Sequence, residues 1–140
     1  MDRRAVVIAG RKSGVSLEDP FWDALGEIAT CKGTTRPALI RNIDQRERGH
    51  ANLSSAVRQF VLAHYCEKRY SPSPVEKRSL TIAGRQTSVA MEASFWSALK
   101  EIAVTKQMSA TELVETIAKD RRHNTLSSAI RVFVLQHYRG

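Results

Sequence analysis

Residues Arg4 to Tyr65 return, one residue shorter, as Arg78 to Tyr138, with about half of the aligned positions identical. The recurring elements are IAGR, then a V…E..FW.AL.EIA stretch, then LSSA(V/I)R.FVL.HY. A duplication fixes what the chain can fold into, because whatever one copy forms the other forms too. Each copy is about 60 residues, a size at which a lone hydrophobic core is marginal, so the two are expected to complete one another's core.

Both halves also carry the same charge. Up to Pro74 there are 12 Lys and Arg against 8 Asp and Glu, and beyond it 10 against 6, so each half contributes +4 to the net +8. That balance, with a pI near 10.0, points to a polyanionic partner, most simply nucleic acid, and not to a detachable basic tail. A hydrophobic content of 42% is enough for a packed core. Cys31 and Cys66 have no counterparts in the second copy, where Thr105 and Arg139 stand. A shared disulfide or metal site would have been duplicated, so both are expected as free thiols in a reducing compartment. No run is long enough to span a bilayer and the opening MDRRAVVIAG lacks a signal-peptide core, so no membrane partner and a cytoplasmic, nucleoid-associated protein are expected.

Each copy reads as four parts. A β-like stretch, Ala5–Ala9 or Ser79–Ala83, is closed by Gly10-Arg11 or Gly84-Arg85. A second stretch alternates, setting Val15 and Leu17 against Gly14 and Ser16, and Val89 and Met91 against Ser88 and Ala90. A helix follows from Asp19-Pro20 or near Ser94, with Phe21, Leu25 and Ile28, or Phe95, Leu99 and Ile102, on one stripe, and Gly33 ends the first version. A second helix opens at Thr34-Thr35, or at Ser109 with Glu112 as a capping box, and buries Leu39, Ile40 and Ile43, or Leu113, Val114 and Ile117. After a polar turn (Arg48-Gly49-His50, or Arg122-His123-Asn124) a third helix carries Val57, Phe60, Val61 and His64, or Ile130, Phe133, Val134 and His137, on its packed face. Ser54-Ser55 and Ser127-Ser128 suit its first turn. The domain organisation is then a first repeat at 1–66, a linker at 67–77 and a second repeat at 78–140.

With SGVSLEDPFWDALGEIA (13–29) and NLSSAVRQFVLAHY (52–65), and again with TSVAMEASFWSALKEIA (87–103) and LSSAIRVFVLQHY (126–138), the chain resembles the ribbon-helix-helix family of bacterial DNA-binding proteins. It is most similar to the subgroup with an added C-terminal helix. The resemblance implies a mainly α fold with a short antiparallel β-ribbon, two fused ribbon-helix-helix repeats forming a pseudo-two-fold intramolecular dimer. It implies that Gly14–Leu17 and Ser88–Met91 pair edge to edge, since a lone strand needs a partner. Such ribbons enter the major groove, where base edges are distinguishable. The implied base-reading positions are Lys12, Gly14, Ser16, Gln86, Ser88 and Ala90. Thr34, Thr35, Met108 and Ser109 would hold phosphates at the second helix's N-terminus, with Arg3, Arg4, Arg11, Lys77, Arg78 and Arg85 adding nonspecific affinity. The competing use of the glycines is a tight turn that folds the two β stretches of each copy into a hairpin of their own.

Gly14 and Ala90 have no polar group for a base, so direct readout would rest on Lys12 and Gln86 with Ser16 and Ser88, and the unequal faces predict an asymmetric site. The implied function is a double-stranded-DNA-binding transcriptional regulator, a repressor with no enzymatic step and no cofactor or metal, with further copies of the chain bound alongside for specificity. The alternative is an antitoxin-like or scaffold module that holds a protein partner through its third helices. A third reading is a nucleoid-coating protein with almost no sequence preference. The bland readings compete at each feature. Phe21-Trp22 and Phe95-Trp96 suit a core, and Cys66 near His64 lacks two further zinc ligands. The serine pairs lack a nucleophile elbow. Glu18, Glu27, Glu92 and Glu101 are explained by helix capping or ion pairing.

Overall fold

The computed structural model describes residues 2–8, 11–46, 53–67, 73–119 and 125–139, and of residues 2–8, 11–13 and Arg46 the backbone alone. The polar turns at 48–50 and 122–124, and Gly10, lie outside the described residues. The chain divides into two compact units, Met1–Pro72 and Ser73–Gly140. The element order is the same in both. The first has β1 (Asp2–Ile8), β2 (Arg11–Leu17), α1 (Asp19–Cys31), α2 (Arg36–Arg46) and α3 (Leu53–Cys66). The second has β3 (Val75–Ile82), β4 (Arg85–Glu92), α4 (Ala93–Thr105), α5 (Ala110–Lys119) and α6 (Leu126–Arg139).

The ribbons are hairpins. β1 pairs antiparallel with β2 from Asp2↔Leu17 to Ile8↔Arg11, and β3 with β4 from Val75↔Glu92 to Ile82↔Arg85. This corrects the expected pairing of Gly14–Leu17 with Ser88–Met91: each strand finds its partner in its own repeat, in two separate two-stranded sheets. The physical reason is the turn. Ala83 and Gly84 both adopt positive φ, 52° and 78°, the two-residue geometry whose twist matches that of the flanking strands. Closing a two-residue loop costs far less chain entropy than bringing together strands some 70 residues apart in sequence. Val75, Glu76 and Lys77 are the first residues of β3.

Alternation along β2 and β4 decides which face packs. Val15, Leu17, Val89 and Met91 are at most 1% exposed, whereas Gly14, Ser88 and Ala90 are exposed. Beneath the first ribbon the buried side chains include Phe21, Leu25 and Ile28 of α1, Leu39, Ile40 and Ile43 of α2, and Val57, Val61 and Leu62 of α3. In the second unit the counterparts are Phe95, Leu99 and Ile102, Leu113, Val114 and Ile117, and Ile130, Val134 and Leu135. Each such large side chain contributes on the order of 1.5–3 kcal/mol on burial.

Helix ends follow the local chemistry. Gly33 takes φ 67° after α1, and Thr34 N–H donates to Ala29 O at 2.8 Å, closing the helix in a left-handed cap. Gln107 occupies the equivalent position with φ 58°. The capping box at α5 forms in both directions: Glu112 N–H donates to Ser109 Oγ at 3.1 Å and Ser109 N–H donates to Glu112 Oε1 at 3.3 Å. The start of α4 is held from the preceding strand's approach, with Ser94 N–H donating to Ser73 Oγ and Ala93 N–H to Pro74 O, both at 3.0 Å.

The motif acidic residues tie first helix to third. Arg58 Nε donates to Glu18 Oε1, and Arg131 Nε to Glu92 Oε1, each at 2.9 Å. Tyr65 and Tyr138 hydroxyls donate to Glu27 Oε2 at 2.9 Å and Glu101 Oε2 at 3.2 Å. Glu18 and Glu92 occupy N-cap positions yet make no side-chain cap bond, so ion pairing explains them and capping does not. The packed-face expectation for His64 and His137 is also corrected: both are exposed, each edge-on to the following tyrosine with ring centroids 5.0 Å apart.

Candidate nucleic-acid interface

The hairpin of the second unit has two unlike faces, and the register says which residues share each. Lys77↔Ala90, Ser79↔Ser88 and Thr81↔Gln86 are cross-strand partners, and all six are exposed. The other face carries Arg78, Leu80 and Ile82 against Val89, Thr87 and Arg85, and it descends into the body at Val89 and Met91. Three of the sequence-derived reading positions, Gln86, Ser88 and Ala90, therefore lie side by side on the free face.

In the first unit Gly14 is exposed opposite Ala5, and Ser16 is half-buried opposite Arg3. Ser16 is held at the body end of the ribbon: its N–H donates to Ser54 Oγ at 2.9 Å, and its carbonyl accepts from Arg58 Nη2 at 3.0 Å. The second unit repeats this strap with Ser127 Oγ donating to Ala90 O at 2.9 Å. Ser54 and Ser127 thus fasten the third helix to the ribbon. For α6 the cap itself is Thr125, whose Oγ1 accepts from Ser128 N–H at 3.1 Å. Lys12 stands opposite Val7 by backbone register, in step with Gly14 and Ser16. Arg4 pairs with Val15 and Arg11 with Ile8.

Among the expected phosphate contacts, Arg78 stacks on an aromatic ring. It lies on the body-facing side, with its guanidinium 5.0 Å from the Trp96 ring centre and Nη2 3.5 Å from Glu76 Oε1. Stacking on an aromatic face is favourable for a guanidinium, and Trp96 Nε1 donates to Glu76 O at 3.1 Å to fix the ring. In the first unit Arg36 sits 4.9 Å from the Trp22 ring centre and its Nε donates to Trp22 O at 3.0 Å. It crosses the helix at Gly26, where a Cβ would overlap the guanidinium. Arg85 is exposed at the hairpin tip.

The helix N-termini differ between units. Thr35 Oγ1 accepts from Ala38 N–H at 3.3 Å, so α2 begins with a neutral cap, whereas α5 begins with the Glu112 carboxylate folded back on Ser109. The amides of Thr34 and Met108 point inward, to Ala29 O and Ala103 O.

Sequence reasoning left Ser79 and Thr81 out of the interface and gave Lys77 only a general charge role. The alternation that singled out Gln86, Ser88 and Ala90 runs back through the Ala83-Gly84 turn to them, and it becomes informative once the hairpin register is known. Among the described residues no helix is long and apolar enough to cross a membrane, and neither Cys31 nor Cys66 is in a disulfide.

The ribbon-helix-helix domain family matches the chain twice, over residues 1–65 and again over 75–138. No curated protein and no solved structure matches the chain.

Proposed function

The chain belongs to the ribbon-helix-helix family, a DNA-binding, non-enzymatic fold, in tandem duplicate, and on that premise we propose that it is a transcriptional regulator that binds double-stranded DNA through its ribbons and represses by occupying promoters. The observation that carries the reading is the exposed row Gln86, Ser88 and Ala90 on a ribbon whose opposite face packs into the body at Val89 and Met91. A two-stranded ribbon fits the major groove, where each base pair shows its own donor and acceptor pattern. Gln86 is the outward group best suited to bidentate recognition, as Asn and Gln pair with adenine N6 and N7. Lys12 holds the matching position in the first repeat, with Gly14 and Ser16 beside it. Arg3, Arg4, Arg11, Thr34, Thr35, Met108, Ser109 and Arg85 are proposed to lie along the phosphates. The net charge of +8 supplies the sequence-independent part of the affinity.

The test is a gel-shift of the whole chain against duplexes selected from a random pool, run across a salt series. A regulator retains a tight, selective fraction as salt rises, while a coating protein loses affinity uniformly as counterions compete. An interaction module that holds a protein through its third helices shows no ribbon-dependent binding. Changing Lys12 and Gln86 to Ala together should cut discrimination between selected and random duplex by about tenfold. Unchanged discrimination in a folded protein removes the reading.

A further inference from the structure

We infer that in the second repeat the DNA-reading surface is made by both strands of one hairpin, with Ser79 and Thr81 of β3 touching base edges beside Ser88 and Gln86 of β4, and Lys77 at the body end of the same row. The inference rests on the DNA-binding reading above and adds residues to it.

Three observations carry it. The first is register: Lys77, Ser79 and Thr81 stand directly opposite Ala90, Ser88 and Gln86. Cross-strand neighbours have Cβ atoms roughly 4.5–5.5 Å apart, so a groove wall that meets β4 meets β3 as well. The second is exposure. β3 alternates along its whole length, with Val75, Lys77, Ser79 and Thr81 exposed and Glu76, Arg78, Leu80 and Ile82 half-buried. The third is charge. Both acids of this ribbon are drawn off the free face, Glu76 beside Arg78 at 3.5 Å and Glu92 beside Arg131 at 2.9 Å. Among the described residues Lys77 has no ion-pair partner. The free face thus presents one cation, three hydroxyls, one carboxamide and a small Ala90 that leaves room beside Lys77. Such a surface suits a polyanion whose bases offer mixed donors and acceptors.

This arrangement also sets the repeats apart. The corresponding β1 positions are Arg3, Ala5 and Val7, opposite Ser16, Gly14 and Lys12. Hydroxyl-rich readout therefore belongs to the second ribbon, since in sequence Ser16 is the one hydroxyl residue among the corresponding positions of the first.

The experiment compares the full chain with two double variants on DNA fragments that the wild-type protein selects from a random duplex pool. Ser79→Ala with Thr81→Val removes the hydroxyls of β3 and keeps a strand-favouring residue at the tip. Gln86→Ala with Ser88→Ala removes the β4 groups. Thermal unfolding confirms that each variant folds, and Lys77→Ala is set against Lys106→Ala, an exposed lysine off the ribbon, to separate position from charge. The β3 double variant should lose about tenfold in discrimination between selected and random duplex, as loss of base contacts implies, with random-duplex binding unchanged. Lys77→Ala should weaken binding more than Lys106→Ala. The inference is overturned if the β4 variant loses discrimination and the β3 variant keeps it. If wild-type protein does not distinguish selected from random duplex, the DNA-reading proposal itself fails, and that outcome is visible before any variant is made.

Discussion

Arg58 Nε lies 2.9 Å from Glu18 Oε1, with their side chains 6% and 1% exposed. The pair joins the end of β2 to the middle of α3 across 40 residues of sequence, and Arg58 also donates from Nη2 to Ser16 O. Arg131 and Glu92 repeat it at the same distance. Removing one partner of a buried pair strands the other charge, at a cost of about 3–5 kcal/mol. Glu18→Gln and Arg58→Met should therefore each destabilise the first repeat by roughly that amount in urea unfolding, while the joint replacement Glu18→Leu with Arg58→Met should recover most of the loss. Single variants that unfold at the wild-type urea concentration would contradict a structural role for the pair.

The left-handed positions make a second prediction. Gln107 sits at φ 58° where Gly33 serves in the first repeat at φ 67°. A side chain in that region costs about 1–2 kcal/mol, partly offset by the greater freedom of glycine in the unfolded chain. Gln107→Gly should raise the stability of the second repeat by about 0.5–1 kcal/mol, and Gly33→Ala should lower that of the first by a similar amount. Differential scanning calorimetry reads both signs.

The tryptophans should report their different surroundings. Trp96 is 3% exposed and hydrogen-bonded to Glu76 O, whereas Trp22 is half-buried under Arg36. In single-tryptophan variants made with Phe, the fluorescence of Trp96 should lie to the blue of Trp22 and resist acrylamide quenching. Equal quenching of the two would contradict the ribbon's packing over α4.

Glu112 makes the α5 N-terminus a poorer partner for a phosphate than that of α2, where Ala38 stands. Glu112→Gln keeps an acceptor for the capping box and removes the charge, so DNA affinity at low salt should rise about two- to fivefold, with the gain fading as salt screens it. Ala38→Glu should have the opposite sign. Equal affinities for wild type and both variants would place these helix ends away from the DNA.

Much of this molecule was legible in the chain because duplication and periodicity are local signals. The parity of Val15, Leu17, Val89 and Met91, the stripes on α1 and α4, and the Ser109–Glu112 capping box all follow from spacing alone, and the structure shows them. Parity tells which face of a strand is buried but not which strand lies beside it, so the hairpin stood only as a competitor until the positive φ of Ala83 and Gly84 decided it. Distance in sequence hid the rest. Nothing in LSSAVR says that Arg58 reaches Glu18, that Ser54 fastens Ser16, or that Arg78 would stack on Trp96. His64 falls on an apolar spacing, yet the helix turns it outward beside Tyr65. The outward row of β3 was missed for the same reason as the hairpin, since its meaning depends on a partner strand.

The account is tested most directly by following backbone amide resonances of the full chain as a selected DNA duplex is added. The largest shifts and the strongest protection from exchange should fall on Ser79, Thr81, Gln86, Ser88 and Ala90, with Leu80 and Val89 on the opposite face less affected. Changes confined to α3 and α6, with the β3–β4 row unmoved, would contradict it.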